Sequence, residues 1–368
     1  MSKSAPLSKP ALSGIVQPVR IGFNPLVDCA PLLVAREKEL FKKHGVKVDL
    51  SCEVGWATIR EKLLYGQLDA VHAIAGLALA MRLGLSSQPC RVVAPFVFNL
   101  HGNAITLSRD LWNRGVRDVV TLKKLIRSSP TRRFTFSTVS RFSSHYFLLR
   151  QWLSAGGINP DQEVRIVVLP PTQMVGNLAA GLIDGGCVGE PWNSEAIARG
   201  VGFIAATSEE LCPGHPEKAL LTTEKFIHGH TSEMSAIIAA LREACQFCDQ
   251  IENRPEVAAI LHRSGYFTVS EDILKRSLVG PLDLGTGKTI EVKAFHLFHR
   301  RDANEPISER GRWLLEQFIT HSLITQAERA EAARALADCW TSNVLPLPET
   351  AAAKSAHKST KRSTTAHA

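Results

Sequence analysis

The stretch VRIGF at positions 19–23, followed by PLLVAREKELFKKH at 31–44 and VKVDLSCE at 46–53, decides the fold. Val19, Ile21 and Phe23 alternate with Arg20 and Gly22, and Val46, Val48 and Leu50 alternate in the same way, the period of a strand with one buried face. The piece between them reads as an amphipathic helix closed by Gly45. Strand, helix and strand in this order form a β-α-β unit, which pairs its strands in parallel and covers them with helices. The pattern recurs along the chain. Further strands are expected at 70–74, 91–98, 103–108, 134–138, 164–169 and 185–188, with helices at 58–65, 77–83, 144–155, 173–181 and 191–199. Gly84 and the pair Gly156-Gly157 punctuate helix ends, and Pro160 blocks any continuation. Beyond about Leu220 the strands stop, and helices are expected at 235–251, 255–262, 270–278, 309–321 and 326–339.

A chain of 368 residues is too long for one ordinary core. Two α/β lobes with a cleft between them suit the order of elements, each lobe a mostly parallel sheet flanked by helices. Ligands in such sheets bind beyond the carboxyl ends of the strands. That directs attention to the segments 24–29, 55–58, 100–103, 139–145 and 189–193, each read as a loop ending where a helix starts.

The net charge of +8 suggests a nucleic-acid partner only until it is located. Lys3 and Lys9 near the start, and Lys354, Lys358, Lys361 and Arg362 near the end, carry most of it, so the body is nearly neutral and no direct nucleic-acid binding is expected. Within the body, the segment 109–133 holds eight Lys and Arg against Asp110 and Asp118, which fits a solvated helical face or a surface for an acidic partner. No apolar run approaches a membrane span. The segment 1–17 lacks the apolar core of an export signal and reads as flexible, so the expected location is cytoplasmic. The residues 346–368, poor in large apolar groups and rich in Ala, Ser, Thr and Lys, read as a disordered basic tail. Eight scattered cysteines suit reduced thiols; only Cys245 and Cys248 form a CxxC pair, in a helical run where packing explains them better than metal.

Several residues could hold an anion. Helix N-termini present unpaired N–H groups to negative charge. Gly55 and Trp56 add an aromatic wall, with Thr58 as a cap, although Trp56 could equally serve packing. His145 could donate a hydrogen bond or be structural, and Lys218 could supply a cation or be solvated. The run Gly285-Thr286-Gly287-Lys288-Thr289 has the tail of a phosphate loop, but Leu282 stands where its first glycine belongs, so it reads as an exposed turn. No catalytic set, metal site or cofactor site is recognised.

Seven segments together carry a resemblance: Trp56–Arg60, Asp69–His72, Gly102–Ile105, Trp152–Asp161, Pro170–Val175, Cys187–Asn193 and His215–Ala219. From about Val19 to Cys339 the chain resembles the nitrate- and bicarbonate-binding proteins of bacterial ABC transporters, and within that family the cytoplasmic nitrate/nitrite sensors of the NasS type. The resemblance implies a type II periplasmic-binding-protein fold, with residues 18–100 and 208–345 in lobe 1 and 101–207 in lobe 2. It also implies ligand-binding roles for Trp56, Asn103, His145 and Lys218, and more weakly for Gly55, Ala57, Thr58, Gly189, Glu190 and Pro191. Asn103 stands where the nitrate binders usually carry Gln, so that contact is expected to be shorter or water-mediated. Retention of Lys218 speaks against bicarbonate. Planar nitrate offers acceptors only, which a set of N–H donors with one permanent cation satisfies.

Three functions compete on this footing. A sensor of nitrate or nitrite is expected to hold an ANTAR-type RNA-binding antiterminator (NasT-like) without ligand and release it on binding. A solute-binding component of a nitrate ABC transporter is the alternative, and requires export. An enzyme resembling the pyrimidine-precursor synthases shares the fold class, but their cysteine cluster is not found here.

Overall fold

The computed structural model describes residues 17–85, 87–291 and 294–343. Nearly all of the N-terminal segment expected to be flexible, and the whole basic tail, lie outside the described residues. The strands are β1 (Val19–Phe23), β2 (Val48–Cys52), β3 (Ala70–Ile74), β4 (Val92–His101), β5 (Asn103–Ser108), β6 (Phe134–Thr138), β7 (Val164–Val168), β8 (Gly185–Gly189), β9 (Gly202–Thr207) and β10 (Pro216–Thr223). Three two-residue strands follow, β11 (Leu282–Asp283), β12 (Thr289–Ile290) and β13 (His296–Leu297).

The first sheet has the order β13-β4-β10-β3-β1-β2 and the second β7-β6-β8-β5-β9. As the β-α-β pattern demands, β1 is parallel to β2 and β3, and β6 is parallel to β7 and β8. Each sheet also carries a reversed strand in its interior, which makes both sheets mixed. β10 runs antiparallel to β3 and β4, and β5 antiparallel to β8 and β9. These reversed strands are where the chain passes between sheets: β4 enters β5 through Gly102, and β9 leads through the helix Ser208–Leu211 into β10. Neither β9 nor β10 was expected. β10 opens on Pro216, Glu217 and Lys218, poor strand formers, and pairing on both flanks outweighs that propensity.

Side-chain alternation fixes β1 as expected. Val19, Ile21 and Phe23 are buried, while Arg20 reaches outward to a two-pronged pair with Asp69 at 2.8 and 3.0 Å. The helix expected over 31–44 is broken in two, Ala30–Glu37 and Leu40–Lys43, where Glu39 adopts a left-handed conformation at φ 52°. The phosphate-loop-like run is the turn of the β11–β12 hairpin. Although it belongs to the returning part of the chain, it leans on the second sheet: Ile204 N donates to Leu284 O (3.0 Å) and Arg109 Nη2 to Gly285 O (2.6 Å). Others of the basic stretch are likewise engaged within the second lobe, with Arg117 3.7 Å from the Trp112 ring and Arg132 paired to Asp184 at 2.5 Å. Cys245 and Cys248 are buried in the helix Thr231–Asp249, as packing residues.

The second sheet has its own core of Ile105, Leu107, Phe134, Phe136, Leu149 and Phe203. The core of the first sheet crosses the cleft to include Tyr146, Phe147, Val175 and Trp192 of the second lobe. Phe147 is fully buried and stacks on His321 of the first lobe, centroids 5.4 Å apart, a burial worth roughly 2–3 kcal/mol. The two lobes are therefore closed on one another.

Candidate functional site

The carboxyl ends of β1, β2, β6 and β8 face the closed cleft and deliver four of the five segments expected there. The fifth, 100–103, is different: it is no loop before a helix but the passage from β4 to β5, and Asn103 is the first residue of β5. Gly55 caps the helix Trp56–Leu64 with extended backbone. Thr58 therefore lies inside that helix and caps nothing, contrary to expectation, and Ala57 is exposed. Ser143 caps the helix Ser144–Ala155 by accepting from Tyr146 N at 3.2 Å, and this places His145 on its first turn.

Trp56, Asn103, His145 and Lys218 come together in one buried cluster. The Lys218 ammonium lies 5.3 Å from the Trp56 ring centroid. Trp56 Nε1 and both ring nitrogens of His145 are buried without a hydrogen-bond partner among the described residues. Such orphaned polar atoms are rare in a finished interior and mark a place where a polar guest belongs.

The one permanent cation expected in the site is itself paired, because Lys218 touches two carboxylates. Its Nζ lies 2.7 Å from Asp28 and 2.5 Å from Glu217. Glu217 is the hub of the cluster. It also accepts from Asn103 Nδ2 (2.6 Å) and from the Ser144 hydroxyl, with His145 Nδ1 at 3.5 Å and His215 Nε2 at 3.6 Å. Neighbouring residues of a strand normally face opposite sides. Here β10 changes register against β4 on both sides of Lys218, and this irregularity turns Glu217 and Lys218 into the same space.

Burial and charge set the protonation states. Burial works to raise the Glu217 carboxyl, but Lys218, His145 and His215 hold it well below its ordinary range. Asp28 is pushed up to about 6 by burial, against the pull of Lys218. Burial lowers His145 to about 3, and burial with Lys218 nearby does the same to His72, whose Nε2 lies 3.2 Å from Asp28 O. At neutral pH both imidazoles are uncharged, and the centre carries two carboxylates against one ammonium.

The weaker candidates divide. Gly189 packs beside Asn103 and Asp28, close enough that a Cβ there would sit 3.4 Å from Asn103 Oδ1. Glu190 instead joins the lobes: its carboxylate accepts from Ser194 N (3.1 Å) and from Ser277 Oγ (3.0 Å), and its carbonyl from Val27 N (2.8 Å). Pro191 follows through a cis peptide bond and caps the helix Trp192–Ala198. Sequence reasoning missed Asp28, Ser144 and Glu217 as members of the site. Asp28 lay in a segment already suspected, and a charged residue at a strand's carboxyl end was the available signal. A cavity of about 370 Å³ opens beside Trp56, lined also by Arg60, Arg141 and Phe142.

Comparison with known proteins accounts for this architecture. Residues 15–262 match the model of the NMT1-like family. The chain is 38% identical over 300 residues to the nitrate import ATP-binding protein NrtC of Synechocystis sp., covering 81% of this chain and 45% of that one. It is 35% identical over 301 residues to the bicarbonate transport ATP-binding protein CmpC of Synechococcus elongatus, covering 81% and 44%. The chain thus spans less than half the length of these two relatives. With the nitrate/nitrite binding protein NrtA of Nostoc sp. it shares 32% identity over 314 residues, covering 82% of this chain and 70% of that one. The crystal structure of the periplasmic nitrate-binding protein NrtA from Synechocystis superposes with a TM-score of 0.84 at 26% identity, covering 90% and 87%. A shared two-lobed, periplasmic-binding-protein fold and sequence similarity along most of its length place this chain in the NMT1-like family, as a homologue of the NrtA nitrate-binding proteins.

Proposed function

We propose that this chain is a binding protein, not an enzyme, that closes its lobes on nitrate or nitrite through Trp56, Asn103, His145 and Lys218. The observation that carries the reading is the convergence of Lys218, Asn103 and His145 on a carboxylate, with a buried, unpartnered Trp56 N–H beside them. A carboxylate and a nitrite or nitrate ion are planar groups with the same charge, and donors placed for one suit the other. The NrtA homologues, named for nitrate and nitrite, support the same ligands. Calorimetric titration with nitrate, nitrite and bicarbonate, repeated on Lys218→Ala and His145→Ala, tests it. Binding of nitrate or nitrite that both variants lose is the expected result. Binding of bicarbonate alone, or of none of the three, refutes the ligand assignment.

Within this reading we assign the chain a sensing role in the cytoplasm, holding an ANTAR-type antiterminator (NasT-like) until ligand arrives. Differential affinity of about 3 kcal/mol between the two states is enough to move such an equilibrium about a hundredfold. Its eight free thiols, five of them buried, suit a reducing compartment. A transport role is the second reading, favoured by likeness to a periplasmic nitrate-binding protein. Co-purification of an antiterminator, released by nitrate, supports the sensor. Recovery of the native protein outside the cytoplasmic membrane supports transport.

A further inference from the structure

We infer that Glu217 is the chain's own tethered anion: its carboxylate fills the place of the external ligand and holds the lobes closed, and nitrate or nitrite binds by displacing it. Glu217 and Lys218 belong to β10 of the first sheet, whereas Asn103, Ser144 and His145 belong to the second lobe. One Glu217 oxygen meets Lys218 at 2.5 Å, and the other takes Asn103 at 2.6 Å together with the Ser144 hydroxyl. The carboxylate thus joins the lobes through the groups proposed to grip the ligand, as an anion clasped between them would. Charge leads the same way. With Asp28 and Glu217 both facing Lys218, a further anion meets a surplus of negative charge in a fully buried site. Adding an unpaired charge to such a site is prohibitive, so a carboxylate has to leave or take up a proton, and departure of Glu217 is the route that also frees the donors of the second lobe. The charged partners of Asp28, Lys218 and His72, both belong to the first lobe, so Asp28 can stay. Glu217 occupies the donors of the second lobe, and exchanging it for nitrate leaves those donors satisfied and the charge unchanged.

Glu217 has this role only if the cleft takes an anion at all, and two probe ions separate the questions. Sodium nitrate and sodium formate are titrated calorimetrically into the full chain and into Glu217→Ala, after melting curves show that both fold. Glu217→Ala is expected to bind nitrate roughly tenfold or more tightly, because the self-occupied state no longer reduces the competent fraction. It is also expected to bind formate about tenfold or more tightly than the native chain does, since formate restores a carboxylate to donors that Glu217 no longer occupies. If the native chain binds nitrate while the variant binds neither ion more tightly than the native chain does, Glu217 is not an internal occupant, although the cleft remains an anion site. If neither protein binds either ion, the anion reading fails and the role of Glu217 fails with it. Should Glu217→Ala not fold, Glu217→Gln keeps the shape without the charge and carries the same expectation for nitrate.

Discussion

Acidification from pH 7 to pH 5 should strip this protein of much of its stability, because its interior holds neutral histidines. His72, His101, His145 and His296 are each held down to about 3, in every case chiefly by burial. In the unfolded chain a histidine takes up its proton near pH 6.5. Between these values the unfolded state binds more protons than the native one, so stability falls as pH falls. Integrating over the two pH units gives about 2 kcal/mol per histidine, or about 8 kcal/mol for the four. Asp28 opposes this. With its folded value raised to about 6, the native state binds the extra proton, which returns about 1 kcal/mol. Glu190, also raised by burial, acts in the same direction as Asp28, while the lowered Glu217 matters only at more acid pH. The net loss of about 7 kcal/mol rivals the entire stability of a typical domain. Urea unfolding at half-unit steps from pH 7 to 5 measures it, and His296→Phe, at a ring stacked on Phe298, should remove about a quarter of the histidine effect. Stability that stays level or rises on acidification refutes the reasoning.

Three further outcomes follow from particular contacts. A Cβ at Gly76 would lie 2.2 Å from the carbonyl oxygen of Phe142 across the cleft, so Gly76→Ala should wedge the lobes apart, raising the radius of gyration in X-ray scattering and weakening nitrate about tenfold or more. Ser277→Ala removes the hydroxyl that the buried Glu190 carboxylate accepts from, and should cost about 1–2 kcal/mol in urea unfolding, without the pH dependence of the histidines. In thiol titration of the native protein Cys52, the exposed cysteine, should react first, while Cys29, Cys187, Cys245 and Cys248 should wait for denaturant because burial raises all four.

Alternation made β1 and β2 readable, whereas β3, β6 and β8 are buried along nearly their whole length and were legible as short runs set between amphipathic helices. β10 left neither signal. Its first three residues are Pro216, Glu217 and Lys218, and it is a strand because β3 and β4 supply partners from far along the chain. Likewise the hairpin at Leu282–Ile290 is assigned to a lobe by contacts with Ile204 and Arg109, which no local pattern encodes. The site residues taken from resemblance do assemble, but resemblance transfers residue types and not their neighbours.

The charge balance of the site was the part that mattered most and the part least legible. By the period of a strand, Glu217 and Lys218 should point to opposite faces, and the sequence then offers a lysine in the cleft with its glutamate elsewhere. The change of register at Lys218 cancels that alternation and brings both into one space, where Asp28 completes a two-to-one excess of carboxylate. A lysine in an anion site is therefore not by itself a signature of anion affinity. On the reading proposed above, what decides whether the cleft admits nitrate is the free energy of moving Glu217 off Asn103 and Ser144, and that depends on one irregular pairing in β10. Two relatives could share every donor and still differ in affinity by an order of magnitude or more, if only one of them carries its own anion.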